Sequence, residues 1–154
     1  MMKIVRVVLI LILFQGFICS VSFAQKSKIH AGAVIGNPTG LTVKYWLTAS
    51  NALEGTVALE KINRDYSFNL NVMYLIHTFN YLDIQDSPLA LYYGVGGKVL
   101  TTLDVALGVR GVAGAAYFFS SLPIDLSLEL SPIFFIIPSS TADIDAGLGI
   151  RYHF

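Results

Sequence analysis

From residue 28 onward the chain alternates with period two, apolar residues in one register and polar or charged residues in the other, with turn residues about every ten positions. Successive side chains of a strand point to opposite faces, so this pattern predicts strands with one apolar and one polar face. The segments fall at 28–35, 41–47, 52–60, 66–79, 89–100, 106–119, 122–136 and 143–154. The links between them, such as Gly36-Asn37-Pro38-Thr39-Gly40 and Ile137 to Ala142, are rich in Gly, Pro, Asn, Asp and Ser, the residues of tight turns.

The apolar register carries no charge. It reads Leu41, Val43, Tyr45, Leu47, then Leu53, Gly55, Val57, Leu59, then Tyr66 to Ile76 at even numbers, and it continues through Ile124 to Leu130 and Ile144 to Phe154. The opposite register holds Lys44, Glu54, Glu60, Asn69, Asn71, Lys98, Arg110, Asp125, Ser127, Glu129, Asp145 and Arg151. A soluble barrel of the lipocalin kind also alternates, with the apolar face inside, so periodicity alone does not choose between water and lipid outside.

Composition and position make the choice. The chain is 55% hydrophobic and 13% charged, against about 25% charged in ordinary soluble domains. Past residue 24 no run approaches the ~18 apolar residues of a spanning helix. High hydrophobicity without long apolar runs points to membrane strands. The polar register is diluted by Gly32, Gly94, Gly96, Gly108, Gly114, Gly147 and Gly149, as suits an eight-stranded barrel, whose interior is just wide enough for side chains to fill. With both termini at the periplasmic end, Tyr45, Tyr74, Tyr93, Tyr117, Phe119, Tyr152 and Phe154 fall at one level, which predicts an aromatic girdle at the membrane interface. The expectation is an all-β, eight-stranded antiparallel transmembrane barrel.

The first residues read as an export signal: Lys3 and Arg6, an apolar stretch from Val7 to Phe14, and the small-x-small site Ser22-Phe23-Ala24. The expected division is a signal peptide over 1–24 and a barrel over 25–154. The alternatives are an uncleaved anchor helix, disfavoured by the short apolar run, and a lipoprotein built on Cys19, disfavoured by the branched Ile18 before it. Removing Lys3 and Arg6 leaves eight basic residues against ten acidic ones with no basic stripe, which is no nucleic-acid-binding balance. The mature chain would hold no cysteine and so no disulfide.

Several stretches carry a resemblance: Gly36-Asn37-Pro38-Thr39-Gly40-Leu41 with Lys44-Tyr45-Trp46-Leu47, then Leu89 to Gly97, Pro123 to Leu126 with Leu128-Glu129, and Gly147 to Tyr152. The chain resembles the small outer-membrane barrels of the OmpA transmembrane-domain type, and more closely a family of short spirochaete-type barrels. The resemblance implies a fold and an outer-membrane location, with lipid and the barrel-insertion machinery as partners, and no shared activity or cofactor. The ending Arg151-Tyr152-His153-Phe154 resembles the signal by which such barrels are recognised for insertion, with Phe154 at its core. Pro132 would remove a ladder hydrogen bond, so the paired part of the seventh strand is expected to end near Ser131, with a bulge or rim beyond it.

Sites for chemistry are sparse. His30, His77 and His153 fall in the inward register near one end, with Glu54, Asp125 and Ser127 nearby, so a Ser-His-acid set exists on paper. Rim polar residues bonded to neighbours are the plainer reading. No G-x-S-x-G, H-E-x-x-H or Cys/His metal spacing occurs. The inward charges Lys44, Glu54, Lys98, Arg110, Asp125, Glu129, Asp145 and Arg151 are the stronger constellation, because buried charge is costly unless paired. They predict a neutralising network that plugs the lumen, with Glu129 as partner for either arginine, rather than a single-sign filter lining a channel. The expected role is structural, in a monomer; surface binding through the outer loops is the alternative, and an enzyme the third.

Overall fold

The computed structural model describes residues 27–62, 65–79, 88–101 and 104–154. The export signal at 1–24, Asn63 and most of the 80–88 link lie outside these residues, as do the side chains of Glu60 and Tyr66. Eight strands run in chain order: β1 (Ile29–Asn37), β2 (Thr39–Trp46), β3 (Asn51–Ile62), β4 (Asp65–Thr78), β5 (Leu89–Thr101), β6 (Val105–Phe118), β7 (Ile124–Ile137) and β8 (Thr141–His153). Each pairs with its sequence neighbour and β1 pairs with β8, closing the barrel. All the pairings are antiparallel. Closure leaves no edge, so every strand finds backbone partners on both sides.

Alternation decides which face is which. Leu41, Val43, Leu53, Val57, Leu70, Val72, Leu128, Leu130, Leu148 and Ile150 all point outward and are exposed, while Lys44, Lys98, Asp125, Asp145 and Arg151 are buried inside. The barrel is therefore inside-out relative to a soluble one, with the oily face where the surroundings are. Exposing this uncharged band to water would forgo about 25 cal/mol for each Å² of apolar surface.

Strands reach further into the links than the sequence pattern suggests, so the ends opposite the termini are tight. Only residue 38 separates β1 from β2, and only 138–140 separate β7 from β8. The first of these turns depends on Gly36, whose φ of +148° disfavours any side chain. Thr39 Oγ1 secures it, donating to Gly36 O at 2.9 Å and accepting from Gly36 N at 3.2 Å. At the other end, Thr48 Oγ1 accepts from Asn51 N at 3.0 Å, which tightens the turn from β2 to β3.

The seventh strand corrects the sequence expectation. It does not stop near Ser131 but runs to Ile137, with Pro132 paired to Ile144 of β8. In an antiparallel strand each residue directs its N–H to only one neighbour, so a proline costs one bond on one side. The β6 ladder keeps its register from Ala113↔Leu130 to Arg110↔Ile133, and beyond the proline it carries the irregularity the sequence allowed for, a register shift between Gly108, opposite Phe135, and Leu107, opposite Ile137. Opposite the proline stands Gly111, where even an added Cβ would lie 3.5 Å from Pro132 Cγ. That leaves room for the ring.

Candidate functional site

Inside the barrel the charges sort into two neutral groups. In the first, nearer the termini, Arg151 Nη2 lies 2.9 Å from Glu54 and its Nη1 lies 3.1 Å from Asp125, while Lys44 Nζ reaches Glu54 at 3.3 Å. Arg151 also donates to Ser127 Oγ at 2.9 Å. In the second, Lys98 pairs with Asp145 at 3.0 Å, and Arg110 with Glu129 at 3.4 Å and Asp145 at 3.8 Å. Arg110 also donates to Ser131 Oγ at 2.9 Å, and Tyr92 Oη to Glu129 at 3.1 Å. Each group holds two cations and two carboxylates, so neither adds net charge to the interior. Glu129 therefore meets Arg110 but not Arg151, whose carboxylates are Glu54 and Asp125. Strand tilt is the reason: residues at equal distances from their strand ends do not sit at equal heights in a barrel.

Apolar layers bound the charges on both sides. Towards the termini, Trp46, His77, Phe79 and Phe118 form a floor, with ring centroids 4.5 Å apart for Trp46 and His77 and 5.7 Å for Phe79 and Phe118. Lys44 Nζ lies 5.0 Å from the Tyr92 ring centroid, a cation–π contact, and donates to His77 Nε2 at 3.3 Å. At the opposite end Leu100, Ile133 and Phe135 pack together with Ala106. The inward glycines make space for this filling. A Cβ on Gly114 would lie 2.6 Å from Tyr92 Cζ, so the tyrosine ring occupies the place of a side chain on β6.

The histidines do not assemble with a serine. His30 Nδ1 and His153 Nε2 both donate to Asp125 Oδ2, at 3.0 and 2.9 Å, and the two rings stack with centroids 3.7 Å apart. Ser127 is held by Arg151, and no described histidine bonds it. Sequence reasoning missed the floor. Trp46 follows Lys44 by two, Phe79 follows His77 by two, and Phe118 lies in the register of Arg110, so extending the inward register to the strand ends would have found it. The aromatics Tyr45, Tyr74, Tyr93, Tyr117, Tyr152 and Phe154 all point outward and are exposed, while Phe119, just past β6, is half-buried and packs edge-on against Tyr117 at 5.0 Å.

The closed barrel of eight antiparallel strands has counterparts among solved structures. The N-terminal β-barrel domain of Pseudomonas aeruginosa OprF is similar with a TM-score of 0.68 at 15% identity, over 84% of this chain and 98% of that one. Neisserial surface protein A (NspA) is similar with a TM-score of 0.52 at 13% identity, over 86% of this chain and all of the other. The fold is that of a small outer-membrane barrel of the OmpA type. No protein-family model and no curated protein matches the sequence.

Proposed function

We infer that the chain is an integral outer-membrane protein whose lumen is filled by its own side chains, and that its role is structural: it occupies and stabilises the membrane without a substrate. The observation that carries this reading is the pairing of the eight inward charges among the described residues into two neutral groups between an aromatic floor and an apolar cap. A selective pore would need a wider barrel or a ring of one sign. Residues 1–24 would export the chain, Phe154 would present it to the insertion machinery, and the outward aromatics would anchor it at the periplasmic interface as a monomer. Surface binding is the weaker alternative, because the links at the end away from the termini are no longer than simple hairpin turns.

Cell fractionation with topology labelling tests this reading. The mature protein should remain with outer membranes through alkaline carbonate and migrate differently on gels before and after boiling. A cysteine at Asn63 should react with an impermeant reagent on intact cells, and one at Asp83 only after the outer membrane is opened. A soluble, detergent-independent monomer would overturn the reading, as would labelling of both positions from outside.

A further inference from the structure

The end of the barrel that carries the termini brings together three metal-ligating side chains, two histidines that the charge pairing does not use and a carboxylate, Asp125, with one oxygen on Arg151 and the other facing the histidines. His30 on β1 and His153 on β8 are direct cross-strand partners, and Asp125 lies on β7, the other neighbour of β8. Closure of the barrel is what unites them, since 123 positions of sequence separate the two histidines. Their donor atoms His30 Nδ1, His153 Nε2 and Asp125 Oδ2 all lie within 4.8 Å of one another. We propose that these three atoms form a binding site for a divalent transition-metal ion of the zinc type, entered from the end of the barrel that carries the termini.

Geometry and chemistry agree on the ion. Bonds of about 2.0–2.2 Å in a tetrahedral site put neighbouring donors about 3.3–3.6 Å apart. Here each histidine nitrogen is 2.9–3.0 Å from the carboxylate oxygen and all three donors lie within 4.8 Å of one another, so an ion enters as the three side chains adjust round it, each imidazole then holding its proton on its other ring nitrogen. Asp125 is already oriented. Its Oδ1 accepts from Arg151 Nη1 at 3.1 Å, which leaves Oδ2 facing the imidazoles. Such an outer partner fixes a ligating carboxylate. The Trp46 Nε1 contact to His30 Nδ1 is longer, 3.4 Å, and yields to the shorter bond with Asp125.

The donor set selects as well. Two imidazoles and one carboxylate suit zinc, copper, nickel or iron, whereas calcium and magnesium require more oxygen ligands than the three groups supply. Lys44 and Arg151 stand nearby, balanced by Glu54 and Asp125 together, so the dication adds its charge to a group that is neutral without it and the waters at the open end must solvate it. Access exists at His153, whose side chain is 18% exposed. Three protein ligands leave the fourth position for water.

The test uses the full mature chain without a polyhistidine tag, folded in zwitterionic detergent, with Zn2+ as the probe in isothermal titration. One ion per folded chain is expected. His30→Gln and His153→Gln should each weaken binding by about tenfold or more, while His77→Gln, outside the triad, should bind like the parent. Gel mobility before boiling reports folding, and His153→Gln, at the partly exposed position, decides the matter if His30→Gln does not fold. Absence of saturable binding to the folded parent would overturn the site, as would undiminished binding by His153→Gln or equal binding by the urea-unfolded chain.

Discussion

Arg151→Met should destabilise the barrel more than any other single change to the inward charges. The guanidinium is fully buried and touches Glu54 at 2.9 Å, Asp125 at 3.1 Å and Ser127 at 2.9 Å. Methionine keeps much of its volume and removes its charge, leaving two carboxylates where one lysine remains. Removing one member of a buried pair costs about 3–5 kcal/mol. The lower figure applies here, because Glu54 keeps Lys44 at 3.3 Å and Asp125 keeps both histidines. With a urea slope of about 1–3 kcal/mol/M, a loss of ~3 kcal/mol lowers the unfolding midpoint by about 1–3 M. Unfolding would be followed in lipid vesicles by the gel mobility of unboiled samples. Adding Asp125→Asn should restore part of the loss: Lys44 and Glu54 then balance one to one, and the asparagine oxygen still accepts from the histidines. A single variant that unfolds at the parental midpoint would show that the charge is solvated and would refute the reasoning.

Three further outcomes follow from the same interior. Arg110→Met should cost less than Arg151→Met in the same urea assay, because its contacts with Glu129 and Asp145 are longer, 3.4 and 3.8 Å, and both carboxylates keep another partner. Gly114→Ala should cost about 1–3 kcal/mol by overpacking, and Tyr92→Leu in the same chain should recover part of it; an unchanged midpoint for Gly114→Ala would show that the ring is not confined. Deleting Phe154, whose N–H donates to Ile29 O at 3.0 Å, should lower the outer-membrane level measured by fractionation while the periplasmic precursor accumulates, and unchanged levels would mark the terminus as ordinary strand.

Much of this architecture was legible in the sequence because a period of two is absolute: once Leu41, Val43 and Tyr45 face one way, Lys44 must face the other. The same logic placed Glu54, Lys98, Arg110, Asp125, Glu129, Asp145 and Arg151 on one face. Which charge meets which was not legible. Arg151 finds Glu54 across the lumen, a meeting set by strand tilt and by the register of closure, and neither is written along a single strand. The triad of His30, Asp125 and His153 was hidden for that reason, since it exists only where β8 returns beside β1. Pro132 misled because a proline signals a broken ladder, yet a strand paired on both sides loses a single bond and keeps its course when the residue opposite is Gly111.

The filled lumen is tested most directly by recording from the purified, refolded barrel in planar lipid bilayers. An interior occupied by paired charges between an aromatic floor and an apolar cap should pass no more current than protein-free bilayers. Stable, stepwise single-channel currents from the folded protein, absent from the bilayer alone, would contradict it.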